Sequence, residues 1–145
     1  MTSNSYGHRF FIDTNIIVYS FDKASPKKHK KSLELVGEGL SSGKGIISHQ
    51  VIQEFVSVIS GKFADMFDTE RLVLYLDEVL FSLWKAHPDR DSYLTALQLK
   101  QELEISWWDA LVVASALASD CKILYTEDLQ HNQRIRTLQV VNPFL

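Results

Sequence analysis

The chain has 145 residues and a formal net charge of −3, from 15 lysines and arginines against 18 aspartates and glutamates. Its length predicts a single domain over residues 1–145, and its 46% of apolar and 23% of charged residues exclude collagen-like and disordered chains. The slightly acidic balance argues against a protein that coats nucleic acid by charge alone. One cysteine, Cys121, excludes a scaffold held by internal disulfides.

The N-terminal segment is polar and lacks the charged-then-apolar order of a signal peptide. No stretch of the sequence approaches the ~20 apolar residues that a transmembrane helix needs. We therefore expect a cytoplasmic protein without a membrane partner.

Short apolar runs alternate with helical patterns along the chain. Residues 9–12 predict a strand, and residues 16–21 continue as a short apolar helix or as an extension. Ser25 followed by Pro26 is typical of a helix N-terminus and opens a helix to about Leu40. After a turn framed by two glycines, residues 45–48 predict the second strand.

The second part of the chain continues this alternation. We predict helices over 49–59 and 68–83, a brief strand over 84–86, helices over 89–103 and 106–119, and strands over 122–125 and 138–141. The helix over 106–119 is apolar on nearly every side, and such a helix belongs inside a core. The order of elements predicts an α/β fold with a parallel sheet between helices, in which ligands bind at the carboxyl ends of the strands.

Four acidic residues lie at or soon after the predicted strand ends. Asp13 follows the first strand, and Asp128 follows the strand over 122–125. Glu54 lies in the helix after the second strand, at the margin of its apolar stripe, and Asp109 lies in the first turn of the apolar helix. The carboxyl ends of parallel strands lie at one edge of the sheet, and we call this the strand-end rule. It brings Asp13 and Asp128 together, whereas helical periodicity does not show that Glu54 and Asp109 reach them.

Each of these acids also has a purely structural interpretation. Asp13 can form an Asx-turn or cap the next helix, and Asp128 can be an ordinary turn residue. Glu54 can be a solvated helix residue, and Asp109 can be the second half of a Ser-x-x-Asp capping box that begins at Ser106.

The pattern formed by all four acids favours a cation site. Two like charges roughly 4 Å apart at an effective dielectric of about 20 repel by ~4 kcal/mol, so gathered carboxylates need protons or cations. An oxygen-only donor set suits Mg²⁺ or Mn²⁺, and the five histidines show no zinc-binding spacing.

Four motifs of the sequence resemble those of PIN-domain nucleases, in the order that this family has them. They are FFIDTNIIVY from Phe10, VIQEF from Val51, WWDALVVASA from Trp107 and LYTEDL from Leu124. Motif set and length are most similar to the VapC-type toxins of type II toxin–antitoxin systems. The resemblance implies that the catalytic and metal-binding acids are Asp13, Glu54, Asp109 and Asp128, with Asn15 and Thr126 as supporting polar residues.

The same resemblance implies a three-layer α/β/α sandwich with a central, mainly parallel sheet. It also implies an endoribonuclease that depends on Mg²⁺ or Mn²⁺, hydrolyses RNA, forms a homodimer and is restrained by a cognate antitoxin. The alternative is a PIN-like module that binds RNA or a partner protein with negligible turnover.

Three further features of the sequence have more than one interpretation. The basic run over residues 27–31 can contact RNA phosphates or form a solvated helix face. Glu127 is an extra carboxylate beside Asp128 whose side chain can point elsewhere. Trp107 and Trp108 are more typical of a core than of a platform that stacks on bases.

Overall fold

The computed structural model describes residues 7–145, and residues 1–6 of the polar N-terminal segment lie outside this range. The strands are β1 (Phe10–Ile12), β2 (Gly45–Ser48), β3 (Trp84–Ala86), β4 (Ile123–Tyr125), β5 (Arg134–Ile135) and β6 (Leu138–Val141). The helices are α1 (Thr14–Tyr19), α2 (Pro26–Ser42), α3 (His49–Lys62), α4 (Thr69–Tyr75), α5 (Phe81–Leu83), α6 (Arg90–Leu103) and α7 (Trp107–Ala118). A π-helical stretch, Leu76–Leu80, joins α4 to α5.

Within the described residues the strands form one sheet in the order β3-β2-β1-β4-β6-β5. The central strand β1 pairs in parallel with β2 and β4, so that Phe11 lies opposite both Ile46 and Leu124. The β2–β3 and β4–β6 pairs are also parallel, and β5 alone runs antiparallel, against β6. The predicted α/β/α fold with a mainly parallel sheet is therefore confirmed.

The hydrophobic core lies against β1 and β2, in which every residue is buried. Burial of all side chains is expected for parallel strands that are covered on both faces. Helix α7 is buried from Ala110 through Ala116, in agreement with the prediction that the apolar helix lies inside the core. None of the helices formed by residues 7–145 is long and apolar enough to cross a membrane.

Two local features differ from the sequence prediction. Strand β5 was not predicted, because it has two residues and its turn lacks a glycine or asparagine signal; Arg136 supplies the positive φ of 56° instead. The helix expected over 68–83 is interrupted by the π-helical stretch. A wider π turn admits one extra residue and still leaves Leu80 and Leu83 buried, so the apolar pattern alone does not show it.

Helix α2 lies very close to β2 where two glycines face each other. A Cβ atom added at Gly45 would lie 2.5 Å from the Cα atom of Gly39 and 3.1 Å from a methyl carbon of Leu83. Because the nearest atom belongs to backbone, a side chain at residue 45 requires the helix to move away from the strand. Gly37, on the same helix, has nothing within 4 Å of such an atom.

These contacts predict opposite effects for two glycine-to-alanine changes. Gly45→Ala is expected to lower the free energy of unfolding by ~1–3 kcal/mol, as overpacking does in other cores. Gly37→Ala, the matched control in α2, is expected to raise it by ~0.5–1 kcal/mol, because alanine favours the helix. Urea denaturation measures both. A Gly45→Ala variant as stable as the wild type would contradict the close approach.

Candidate active site

All four predicted acids line one open pocket of about 920 Å³. Asp13 follows the central strand β1 and Asp128 follows β4, while Glu54 belongs to α3 and Asp109 to the first turn of α7. Asn15 lines the same pocket, whereas Thr126 is fully buried. The structure thus brings together side chains from four separate segments, including the two that periodicity could not place.

Asp13 caps α1 and is buried at the end of the central strand. Its Oδ1 accepts a hydrogen bond from the Thr14 amide at 2.8 Å, and its Oδ2 accepts one from the Thr126 hydroxyl at 2.8 Å. Burial raises the pKa of Asp13 from 3.8 to about 7; these two hydrogen bonds oppose the rise, while Asp128 and Glu54 add to it. The capping interpretation is therefore correct, and it is compatible with a place in the pocket.

The Thr126 hydroxyl connects three of the site residues. Besides donating to Asp13, its Oγ1 accepts from the Asn15 amide at 3.3 Å and from the backbone N–H of Asp128 at 3.1 Å. One donated and two accepted bonds use the full capacity of a hydroxyl group. Asn15 Nδ2 also donates to Asp128 Oδ2 at 3.0 Å, so Asp13 and Asp128 are held by one continuous network.

Thr14 is a site residue that the sequence analysis did not single out. Its hydroxyl donates to Glu54 Oε1 at 2.7 Å and thereby links α1 to α3. The one sequence signal for it is its position directly after Asp13. Glu54 is half-buried and hydrogen-bonded, so the interpretation of this residue as a fully solvated one is wrong.

Asp109 contributes to a helix cap and to the pocket at the same time. Its backbone N–H donates to the Ser106 hydroxyl at 3.1 Å, as a helix N-terminus requires. Its carboxyl group lines the pocket, and burial raises its pKa, with Asp128 and, more weakly, Glu54 acting in the same direction while the Ser106 bond opposes them. Asp109 therefore shares one electrostatic environment with the other acids.

Two ion pairs lie near the rim of this pocket. Lys28 pairs with Glu127 at 3.0 Å, and Lys62 pairs with Asp22 at 3.5 Å. Glu127 does line the pocket, and the Tyr19 hydroxyl donates to it at 2.7 Å. Lys28, from the basic run, is thus held by a carboxylate. Within residues 7–145 neither ion pair includes any of the four predicted acids.

The donor chemistry of the pocket fits a hard divalent cation. Its acids offer only oxygen ligands, and Asn15 Oδ1 is buried without a hydrogen-bond partner in the described part of the chain. As the side chains stand, however, residues 7–145 contain no group of three or more histidine, cysteine, aspartate or glutamate residues arranged to hold a metal ion. Binding of a cation through three or more of these acids would therefore require the carboxylates to draw together.

The prediction that both tryptophans are core residues is wrong for Trp108. Trp107 is half-buried and stacks on Tyr93, with ring centroids 6.3 Å apart and planes 19° from parallel. Trp108 is 61% exposed and lines the pocket. Continuous burial of α7 begins at Ala110, so the first turn of this apolar helix is not enclosed by the core.

Comparison with known proteins identifies one family and solved structures of similar fold. The PIN domain family model matches residues 10–135. One similar structure is the crystal structure of VapBC2 from Rickettsia felis bound to a DNA fragment from their promoter. A chain of it superimposes with a TM-score of 0.58 at 23% identity, and the match covers 90% of this chain and 96% of that one. A chain of FitAcB from Neisseria gonorrhoeae gives a TM-score of 0.61 at 14% identity, covering 93% and 98%. At these identities the likeness is one of fold; no curated protein matches the sequence.

Burial of Asp13 predicts that stability falls as pH rises in metal-free buffer. The folded state holds the proton up to a pH of about 7, whereas the unfolded chain releases it near 3.8, so deprotonation favours unfolding between these values. At about 1.36 kcal/mol per pKa unit the loss amounts to ~4 kcal/mol, complete above pH 7. Asp13→Asn is expected to flatten this dependence.

Chemical denaturation in EDTA at pH 5 and pH 8 compares the variant with the wild type, and about 3 kcal/mol of the loss is expected between these two pH values. Glu34→Gln, at an exposed position of α2, is the control and should show the same pH dependence of stability as the wild type. Equal pH dependence in Asp13→Asn and the wild type would show that Asp13 is not the titrating group.

Proposed function

The chain belongs to the PIN domain family, and we propose that it is a metal-dependent endoribonuclease, a hydrolase that cleaves RNA phosphodiester bonds. The observation that carries the proposal is the convergence of Asp13, Glu54, Asp109 and Asp128 on one pocket, in which none of the four forms an ion pair with a described residue. A site that gathers four carboxylates needs positive charge, and Mg²⁺ or Mn²⁺ suits its oxygen donors.

The proposed roles divide the four acids into two pairs. Asp13 and Asp109 would hold the cation directly, and Glu54 and Asp128 would complete a second cation site or hold the waters of the cation. When bound, a divalent ion lowers the pKa of water and stabilises the charge on the departing oxygen. Because the pKa of Asp13 is raised to about 7, a proton competes with the cation for this carboxylate near neutral pH.

The neighbouring polar residues position these carboxylates. Thr126 and Asn15 fix the orientation of Asp13 and Asp128, and Thr14 fixes Glu54. Residues that orient metal ligands in this way change affinity or activity by roughly 10–100-fold when they are replaced. They take no direct part in the hydrolysis.

RNA cleavage in Mg²⁺ or Mn²⁺ tests the proposal directly. The purified chain is expected to cut single-stranded or loop RNA, and EDTA is expected to stop it. Asp13→Ala should lower the cleavage activity by more than the roughly 10–100-fold expected for Thr126→Val, because it removes a proposed cation ligand, whereas Thr126→Val removes only the residue that orients this ligand. Glu102→Gln, at an exposed position on α6 away from the pocket, is the matched control.

An activity that resists EDTA or survives Asp13→Ala would belong to a contaminating ribonuclease and contradict the proposal. Binding of RNA without turnover under the same conditions would favour the alternative, a PIN-like binding module.

We further propose that this nuclease is the toxin of a toxin–antitoxin pair and acts in the cytoplasm. The support is the set of four motifs, which is most similar to VapC-type toxins, together with the likeness in fold to a chain of VapBC2. A short neighbouring reading frame that encodes a DNA-binding or acidic-tailed partner would agree with it. Rescue of growth by that partner on co-expression is the direct test.

Self-association into a homodimer is the remaining part of the proposal. Helices α4, α5 and α6 expose large apolar side chains, among them Leu74 at 56% and Leu97 at 55% exposed. Sedimentation at micromolar concentration is expected to give a dimer of the 16.6-kDa chain, and Leu74→Lys a monomer. Leu33→Lys, at a similarly exposed position on α2, is the control and should leave the dimer intact. A monomeric wild type would contradict the dimer.

A further inference from the structure

We propose that Trp108 and the small cavity beside it form a subsite for one unpaired nucleobase next to the phosphate that is cleaved. The inference rests on the ribonuclease function proposed above and names the part of the substrate that this surface recognises. Its starting point is the exposure of Trp108, because a tryptophan with 61% of its surface in solvent contributes little to the core.

Trp108 lies between two cavities and lines both of them. One is the acidic pocket, which the next residue, Asp109, also lines. The other has a volume of about 250 Å³, and Gln50 and Gln53 are common to both. A single strand with a phosphate in the acidic pocket therefore passes the indole ring when it continues towards the small cavity.

The small cavity has the lining that a flat heterocycle requires. Trp107 and Tyr93 supply stacked aromatic rings, and His49 and Gln53 supply polar groups. Sequence-specific RNA recognition uses such aromatic surfaces for stacking and polar side chains for the base edges. Sites for drug-sized ligands measure roughly 300–1,000 Å³, so a cavity of about 250 Å³ suits one base better than a whole nucleotide.

The backbone beneath Trp108 is held in place by two hydrogen bonds. The buried side chain of Gln50 donates from Nε2 to the Trp108 carbonyl oxygen at 3.2 Å, which ties α7 to α3. The Ser106 hydroxyl caps the same turn through the Asp109 amide. Among residues 7–145 no other aromatic ring stacks on Trp108, so its face remains available to a ligand. Because the backbone of this turn is fixed before binding, only the indole side chain loses freedom when a base stacks on it.

Binding of single-stranded RNA tests the subsite independently of cleavage. Mixed-sequence RNA decamers are titrated in Ca²⁺, which binds oxygen ligands and neutralises the carboxylates of the acidic pocket, and binding is followed by fluorescence anisotropy. The RNA recovered afterwards is checked for cleavage. Trp108→Leu is expected to weaken binding roughly ten- to hundred-fold, as loss of one base–aromatic stack does, and Trp108→Phe to retain most of the affinity. Trp84→Leu is the matched control, because Trp84 is exposed on β3 and lines neither cavity.

A second series of decamers, each with one residue lacking its base, locates the contact. In the wild type, loss of the base at one position is expected to weaken binding. In Trp108→Leu, loss of the base at the same position should leave the affinity of that variant unchanged. Circular dichroism melts show that the variants are folded.

The outcomes separate this inference from the proposed function. Trp108-dependent binding without metal-dependent cleavage would support the base subsite and overturn the ribonuclease. Cleavage together with unchanged RNA affinity in Trp108→Leu would support the ribonuclease and overturn the subsite. The subsite would also be overturned if this variant weakened binding of a protein partner and left RNA binding unchanged. A wild type that binds no single-stranded RNA would overturn the subsite as well.

Discussion

The arrangement of the site depends on one buried carboxylate at the end of the central strand. Asp13 caps α1 with one oxygen and accepts the Thr126 hydroxyl with the other, so β1, α1 and the segment after β4 meet at a single side chain. Burial makes this position unfavourable for a negative charge, as the raised pKa of Asp13 shows. A serine could cap α1 at this position without placing a negative charge in a buried site. Capping alone therefore does not explain why the residue here is an aspartate.

The other acids reach Asp13 because of the strand order. With β1 between β2 and β4, the segments that follow these parallel strands emerge at one edge of the sheet. Asp128 comes directly from that edge, whereas Glu54 and Asp109 extend to it from α3 and α7. The Thr14–Glu54 and Gln50–Trp108 hydrogen bonds connect α3 to its two neighbouring helices at this edge.

Much of this organisation could be predicted from the sequence, for physical reasons that also explain the failures. Strands such as Gly45–Ser48 are continuous apolar runs bounded by turn signals, and the strand-end rule was sufficient to pair Asp13 with Asp128. Periodicity places a residue on the face of a helix but not next to another element, so it could not place Glu54 or Asp109. The exposure of Trp108 depends on where enclosure of α7 by the core begins, and Thr14 acts through a tertiary contact with Glu54. Neither fact is a property of a local pattern.

The hydrogen-bond network around Thr126 also has a direction. Both lone pairs of its hydroxyl are occupied, by Asn15 and by the Asp128 amide, so its hydrogen is committed to Asp13. Asn15 donates its two amide hydrogens to Thr126 and Asp128. These two bonds determine the orientation of the amide, because only its nitrogen can donate. A proton that joins Asp13 therefore cannot lie in its bond to Thr126 and must lie elsewhere on the carboxyl group. The neutral form of Asp13 accordingly offers one hydrogen-bond donor that the ionised form lacks, so an arriving group meets this donor below a pH of about 7 and only acceptor oxygens above it.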